Sequence, residues 1–263
     1  MKRTNRLLWR FAALLTGMLL VSGVFSQKQQ FNYADNWGKQ GLTITESKGS
    51  SIELVYSMHD FALAEQIINA EKVQTIELAG SFLPNEKGAP DLPGFGKFIA
   101  IPQGSNAELE VIEMKKEVIK GIEIAPAPEI PFVPQSADLK YEKNISIYNT
   151  DKMYPEAPIK LGNKTSIRGV DVVTLGITPF QYNPVTKELI VIRDVKIRVN
   201  FKGGNGKFGD TRLRSRWFEP ILEANIVNFK NLPKVDFDKQ YDTKATGYRS
   251  EEHTSELQSR QSI

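Results

Sequence analysis

Apolar side chains recur at every second position along most of residues 27–248, a pattern typical of half-buried β-strands. Turn signals rich in proline, glycine and asparagine separate the runs. The pattern predicts strands at residues 42–45, 51–56, 73–78, 97–101, 107–114, 118–124, 170–177, 188–192 and 195–201. Many short strands at close spacing predict a mainly β fold, an antiparallel β-sandwich with one or two short helices.

The two short helices are predicted at residues 60–70 and 217–229. In the second, five apolar side chains fall roughly on one helical face. They are Phe218, Ile221, Leu222, Ile226 and Phe229. We expect both helices to pack against the core at the margin of the sandwich.

A proline-rich stretch interrupts the strand pattern between residues 125 and 158. Four prolines fall within nine residues, and each removes a backbone donor and favours extended, unpaired chain. They are Pro126, Pro128, Pro131 and Pro134. Such a stretch does not fit the middle of a sheet. It is either an ordered crossover between two sheets or a surface segment that reaches towards a partner, and the sequence leaves both open.

The first 26 residues have the pattern of a signal peptide. A basic start containing Lys2, Arg3, Arg6 and Arg10 precedes an apolar run at residues 11–25. The run is shorter than the roughly 20 residues that a membrane-spanning helix needs, which favours cleavage over a stable membrane anchor. Cleavage between Ser26 and Gln27 is expected, with export through the inner membrane of a Gram-negative bacterium to the periplasm, the outer surface or the medium.

The last residues differ from the rest of the chain. From Arg249 the sequence reads like the in-frame translation of a sequencing adapter, so residues 249–263 are predicted to be non-native. The alternative is a polar, disordered tail. The resulting division is a signal peptide at 1–26, one domain at 27–246, and a truncated linker with the non-native tail at 247–263.

Composition narrows the possible chemistry. The 263 residues include no cysteine and two histidines, His59 and His253, which excludes a disulfide framework, a thiolate metal site and a cysteine nucleophile in this chain. The formal net charge is +3 for the whole chain and zero for residues 27–248, so no nucleic-acid partner is indicated. We therefore expect no metal, no cofactor and no catalytic residues here. Three alternating arginines, Arg212, Arg214 and Arg216, are interpreted as a solvated strand face.

Several sequence blocks, in order, resemble the propeptides of gingipain-type cysteine peptidases. The first two follow a "G-x-P-x-L-P … P-x-G" pattern. The blocks are Gly88–Pro93, Ile101–Ser105, Ile124–Pro126, Asp151–Pro155 and Pro179–Leu189. The resemblance extends over most of residues 50–246. It implies a β-sandwich propeptide that helps a following cysteine peptidase domain to fold, covers its active-site cleft during export and is later removed.

The resemblance also implies an inhibitory loop after the proline-rich exit. In arginine-specific relatives, a basic side chain of this loop occupies the specificity pocket. The matching stretch here, residues 132–138, contains neither arginine nor lysine. The candidates for the blocking residue are Gln135, Lys140 and Lys143, with Arg212–Arg216 as the next region to consider.

A second class of function stays open on sequence alone, because a fold by itself does not specify a function. The chain would then be a stand-alone surface β-sandwich for adhesion or glycan binding. Genomic sequence beyond Tyr248 discriminates between the two, since a propeptide must be followed by a domain that contains a histidine and a cysteine.

Overall fold

The structure is a computed structural model that describes residues 28–81, 85–129 and 139–238. The predicted signal peptide and the predicted non-native tail lie outside the described residues. The described elements follow in chain order. The strands are β1 Lys28–Asn32, β2 Gly41–Ser47, β3 Ser51–Ser57, β4 Asp60–Ile68, β5 Glu71–Glu77, β6 Phe95–Ala100, β7 Ser105–Lys120, β8 Ile159–Leu161, β9 Thr165–Ile167, β10 Val170–Ile177, β11 Phe180–Asn183 and β12 Glu188–Gly203. The helices are α1 Ile145–Tyr148 and α2 Glu219–Asn225, with 3-10 turns at Thr211–Leu213 and Phe229–Asn231.

These strands form three antiparallel sheets, which confirms the predicted mainly β fold. One sheet has the order β1-β4-β5, and a second has β6-β10-β8 with β9 also paired to β10. In the third, β12 pairs with β7 along one edge and with β11 and then β3 along the other, and β3 pairs with β2. Phe61, Leu175 and Phe180, one from each sheet, belong to a single buried cluster. The three sheets thus enclose one core, as expected of a sandwich.

The long strands β7 and β12 were each predicted as two shorter strands. Polar pairs at Lys115–Lys116 and Arg193–Asp194 interrupt the apolar alternation, which is why the sequence indicates breaks there. In the structure, irregular register at residues 192–194 carries β12 through the interruption. The buried Asp194 Oδ1 accepts hydrogen bonds from Ser57 Oγ (2.5 Å) and Trp37 N (3.0 Å). A polar pair therefore marks a bulge rather than the end of the strand.

The helix predicted at residues 60–70 is wrong, because this segment forms β4. Residues with good helix propensity occupy it, but β4 pairs with β1 on one side and β5 on the other. Phe61 lies opposite Phe31 in the β1 register and stacks on it with ring centroids 4.6 Å apart. Its edge contact with Phe180, at 5.2 Å, joins this sheet to the five-stranded one. Pairing on both sides overrides the local preference.

Residues 208–232, here called the C-terminal strap, cover the edge of β6. Buried side chains of the strap form a second, smaller core with β6 and β10. Helix α2 is shorter than the predicted helix at 217–229 because Ile226 turns to extended backbone and Val227 N donates to Phe98 O at 2.9 Å. The prediction for Leu222 and Ile226 is confirmed, since both are buried. Ile221, predicted on the same face, instead points towards solvent.

Asn228 fastens the strap to β6 from a buried position. Its Nδ2 donates to Ala100 O and its Oδ1 accepts from Ala100 N, both at 2.8 Å. Both backbone groups of one edge residue are thus satisfied by a single side chain.

We expect Asn228→Ala to lower the free energy of unfolding by about 2 to 4 kcal/mol, because it leaves a buried N–H and C=O without partners. Urea denaturation of the chain from residue 27 onwards measures the change. Asn225→Ala is the matched control, since Asn225 is exposed at the end of α2, and it should change stability by about 0.5 kcal/mol or less. Equal effects of the two substitutions would contradict a fastening role for Asn228.

Candidate interaction site at the proline-rich segment

Residues 122–129 run as extended chain between β5 and the turn at residues 88–91. On one side, Gln74 N donates to Glu123 O (2.6 Å) and Ala125 N donates to Gln74 O (2.9 Å). On the other side, Ala127 N donates to Ala89 O at 2.7 Å. The start of the proline-rich stretch is therefore an ordered crossover, one of the two alternatives left open by the sequence.

The spacing of the prolines explains how this ladder forms. Ala125, Ala127 and Glu129 donate their backbone N–H groups, whereas the intervening Pro126 and Pro128 have none to donate. Ala125 donates towards β5 and Ala127 towards the turn at residues 88–91, so each donor finds an acceptor on one side of the segment or the other. Prolines at every second position therefore cost this segment none of its hydrogen bonds.

Gly88 allows three pieces of chain to meet. Its N–H donates to Ala127 O (2.9 Å) and its carbonyl accepts from Asn144 N (2.8 Å). Its φ is +78°, and a Cβ there would lie 2.5 Å from Glu142 O. The positive φ and the lack of space for a Cβ both require glycine at this position. These two constraints explain the glycine that begins the "G-x-P-x-L-P" block.

The chain leaves this ladder at Glu129 and returns at Lys140, and the two points are joined. Glu129 N donates to Lys140 O at 3.0 Å, and Lys87 Nζ lies 2.6 Å from Glu129 Oε2. The hydrogen bond that Lys87 donates to Glu129 lowers the pKa of Glu129 and raises the pKa of Lys87, so both are charged near neutral pH. We call this pair of contacts the loop clamp. Residues 130–138, which include the candidate Gln135, lie outside the described residues.

Lys140, the second candidate, is exposed at the returning side of the loop clamp. Its carbonyl is engaged by Glu129 N, and the next carbonyl, that of Tyr141, accepts from Asn69 Nδ2 at 2.7 Å. The carbonyl groups of Lys140 and Tyr141 are therefore both hydrogen-bonded. The exposed Lys140 side chain extends from this fixed backbone.

Lys143, the third candidate, is directed into the body of the protein. Its Nζ lies 2.6 Å from Glu71 Oε2, 3.3 Å from Glu123 Oε1 and 5.4 Å from the centre of the Tyr148 ring. Partial burial acts to lower the pKa of Lys143, but hydrogen bonds to the two glutamates outweigh it and raise the pKa. The ion pairs of Lys143 with Glu71 and Glu123 thus fasten the returning chain to β5 and to the ladder. Tyr148 adds a second contact, because its hydroxyl donates to Ile124 O at 3.0 Å.

The other residues considered in the sequence lie apart from this site. The predicted cleavage residues Ser26 and Gln27 fall outside the described residues. The arginines at 212–216 lie on the C-terminal strap rather than on a strand. Arg214 is buried and pairs with Glu219, while the Arg212 and Arg216 side chains are 86% and 45% exposed. The imidazole Nε2 of His59 lies 2.8 Å from Gly38 O.

Within residues 28–81, 85–129 and 139–238, no three histidine, cysteine or acidic side chains are grouped so as to hold a metal ion. In the same part of the chain, no helix combines the length and apolar character needed to cross a bilayer.

Sequence reasoning identified the proline-rich exit but missed the loop clamp. The ladder depends on Gly88, Gln74 and Asn69, which are far from residues 125–144 in the sequence. The alternation of Pro126 and Pro128 with donor residues was the one local signal that could have indicated pairing.

Comparison with known proteins defines the class. A model of the family Propeptide_C25 matches residues 34–237, most of the chain, and thus identifies a propeptide domain. The chain belongs to the family Propeptide_C25. This confirms the resemblance to gingipain-type propeptides drawn from the sequence blocks.

Curated relatives agree with this assignment. The chain is 22% identical to Lys-gingipain HG66 of Porphyromonas gingivalis over 217 residues, which is 80% of the chain and 12% of the relative. It is 30% identical to Gingipain R2 of the same organism over 150 residues, 56% of the chain and 20% of the relative. The chain therefore spans only about an eighth to a fifth of the length of these relatives.

Two solved structures have a similar fold. The first, described as the complex of Porphyromonas gingivalis RgpB pro- and mature domains, matches with a TM-score of 0.62 at 21% identity. The match covers 73% of this chain and all of that one. The second, described as an insight into the zymogenic latency of gingipain K from that organism, has a TM-score of 0.56 at 21% identity, covering 67% and 99%.

The loop clamp generates a prediction that does not depend on function. Glu129→Pro removes the donor to Lys140 O in a segment that is already extended, so the peptide bond after Lys140 should become easier to cut. We expect trypsin to cleave Lys140–Tyr141 about fivefold faster, corresponding to roughly 1 kcal/mol of lost hydrogen bonding. Mass spectrometry of the early fragments measures the rate.

Glu129→Ala is the control, because it keeps the N–H donor and removes the contact with Lys87. The alanine variant should be cleaved more slowly than the proline variant. Equal cleavage of the two would show that the backbone contact does not hold the loop clamp closed.

Proposed function

We propose that this chain is the exported propeptide of a cysteine peptidase, and that it acts as a folding aid and an active-site inhibitor of a peptidase domain that follows it. Membership of the propeptide family and the similarity to gingipain precursors support the proposal. The single observation that carries the inhibitory role is the loop clamp, which joins the two ends of the segment that contains residues 130–138.

A clamped, proline-rich loop suits the occupation of a cleft. Pro131 and Pro134 restrict its backbone to extended conformations, so the loop loses little conformational entropy on binding. The contact between Glu129 and Lys140 adds to this by fixing the distance between its ends. A peptidase cleft binds its substrates as extended chain, and the loop offers chain of that form.

The candidates for the specificity pocket differ in what binding would cost. Lys140 is exposed and its side chain is displayed from held backbone, whereas Gln135 lies within the loop itself. Lys143 would have to leave Glu71 and Glu123 to enter a pocket. We therefore place Gln135 or Lys140 nearest the pocket, with residues 131–143 forming the interface.

Export and processing complete the proposal. The signal peptide at residues 1–26 is removed between Ser26 and Gln27, so that β1 begins directly after the new amino terminus. Residues 27–246 then form the propeptide domain. The nucleophile and its histidine belong to the following domain, because the chain contains no cysteine.

Titration of the cognate peptidase domain with this propeptide tests the inhibitory role. Truncating a side chain that anchors the specificity pocket costs about 2 kcal/mol or more, so Gln135→Ala or Lys140→Ala should raise the inhibition constant about thirtyfold. Lys116→Ala, an exposed lysine on β7, is the control and should inhibit like the parent chain.

Inhibition that is unchanged in both variants would refute the assignment of the blocking residue. Failure of the parent chain to inhibit at all would refute the inhibitory role. Refolding the peptidase domain with and without the propeptide tests the folding role separately, and equal recovery of activity would refute it.

The proposal also predicts that residues 27–248 hydrolyse no peptide substrate, with or without a reducing agent. The chain has no thiol, and His59, the one histidine of this segment, has no cysteine to activate. A fluorogenic peptide library measures activity. Hydrolysis that persists after removal of contaminating proteases would contradict the prediction.

A further inference from the structure

The C-terminal strap presents an apolar face to solvent. The Trp217 side chain is 78% exposed, the highest value among the large hydrophobic residues of the described chain, and Ile221 is 53% exposed. Trp217 lies in the turn that leads into α2, and Ile221 lies in the first turn of α2. Glu219 N donates to Ser215 O and Leu222 N to Phe218 O, both at 3.0 Å, so the chain is hydrogen-bonded across both residues. We call the surface made by these two exposed residues the Trp217 face.

The opposite side of the same turn is fixed to the protein. The guanidinium carbon of Arg168 lies 4.0 Å from the centre of the Phe218 ring, and Leu222 is buried in the smaller core. Buried Arg214 pairs with Glu219 at the start of α2. The Trp217 face is therefore held in place before any partner arrives, which reduces the entropy lost on binding.

The described chain passes beside this face as it leaves the fold. Arg216, the neighbour of Trp217, contacts the carboxylate of Asp238 at 3.0 Å. The match to the propeptide family ends one residue earlier, at 237. A domain joined further along is tethered through chain that passes beside Trp217 at this contact, and such tethering raises its effective concentration near the Trp217 face.

We propose that the Trp217 face is a docking surface for the peptidase domain that follows in the precursor, separate from the inhibitory loop. This inference rests on the proposed function. The surface it meets is apolar, and it offers a carbonyl or carboxylate oxygen to the indole N–H. A buried aromatic anchor is the kind of residue that dominates binding at such interfaces.

Two contacts far apart in the sequence would then hold the peptidase domain. The loop after Glu129 provides the contact with the cleft, and the Trp217 face provides a contact close to the covalent connection. Because the second contact does not involve the cleft, it persists when the loop is displaced.

The test titrates the cognate peptidase domain, purified from processed precursor, with the chain from residue 27 onwards. We expect Trp217→Ser to raise the inhibition constant about thirtyfold and Ile221→Ser about fivefold. Val185→Ser is the control, since Val185 is similarly exposed at the turn between β11 and β12 and should inhibit like the parent chain. Circular dichroism checks that each variant is folded.

Fluorescence gives an independent readout. Trp37→Phe leaves Trp217 as the one tryptophan after residue 26, and its emission should shift to shorter wavelength when the complex forms. The shift should also appear with a peptidase domain whose cleft is blocked by a covalent inhibitor, because the Trp217 face does not contact the cleft.

The outcomes separate the two proposals. Inhibition by the parent chain that is unchanged in Trp217→Ser, with no fluorescence shift, overturns the Trp217 face and leaves the inhibitory role intact. No binding by the parent chain overturns both. Self-association of the propeptide that Trp217→Ser abolishes would show that the face is covered by a second copy, which also overturns the proposal.

Discussion

The fold depends on the continuous pairing of β12 along both of its edges. One edge pairs with β7 from Ser105 to Lys120, and the other pairs with β11 and then with β3. Between these two partners, Ile192 N donates to Pro179 O and Met58 N donates to Arg193 O, both at 2.8 Å. The backbone of a buried strand must find such partners along its whole length, and β12 therefore fixes the positions of the strands that surround the core.

The proposed interaction segment is attached to the sheets of the fold at both of its ends. The ladder at residues 122–129 pairs with β5 and with the turn at Gly88, so its order derives from the same sheets as the core. The loop clamp then joins Glu129 to Lys140. Lys143 adds a side-chain contact that fastens the return to Glu71 and Glu123. Binding loops are commonly displayed in this way by rigid scaffolds.

The sequence predicted the features that local patterns determine. Alternating apolar residues identified most strands, and the helical pattern around Leu222 located α2. It failed where distant contacts decide the structure: β4 has helix-forming residues, but pairing with β1 and β5 makes it a strand. Ile221 was predicted on the buried face but is exposed. The length of α2 and its orientation towards β6 decide which side is buried, and the local sequence does not determine either. The loop clamp joins Glu129 to Lys140, and their pairing depends on the contacts of Gly88 with both parts of the chain. No local sequence pattern indicates these contacts.

The contact of Asn228 with Ala100 also determines when the edge of β6 is covered during folding. Partners 128 residues apart in the sequence must both be present before that edge of β6 is covered. In a chain that is synthesised from its amino terminus, β6 is complete long before residues 226–228 follow. During that interval the strand presents unpaired N–H and C=O groups, the kind of edge that recruits other chains into aggregates. The C-terminal strap thus acts as a closing segment, and the edge of β6 is covered only when residues 208–232 are present.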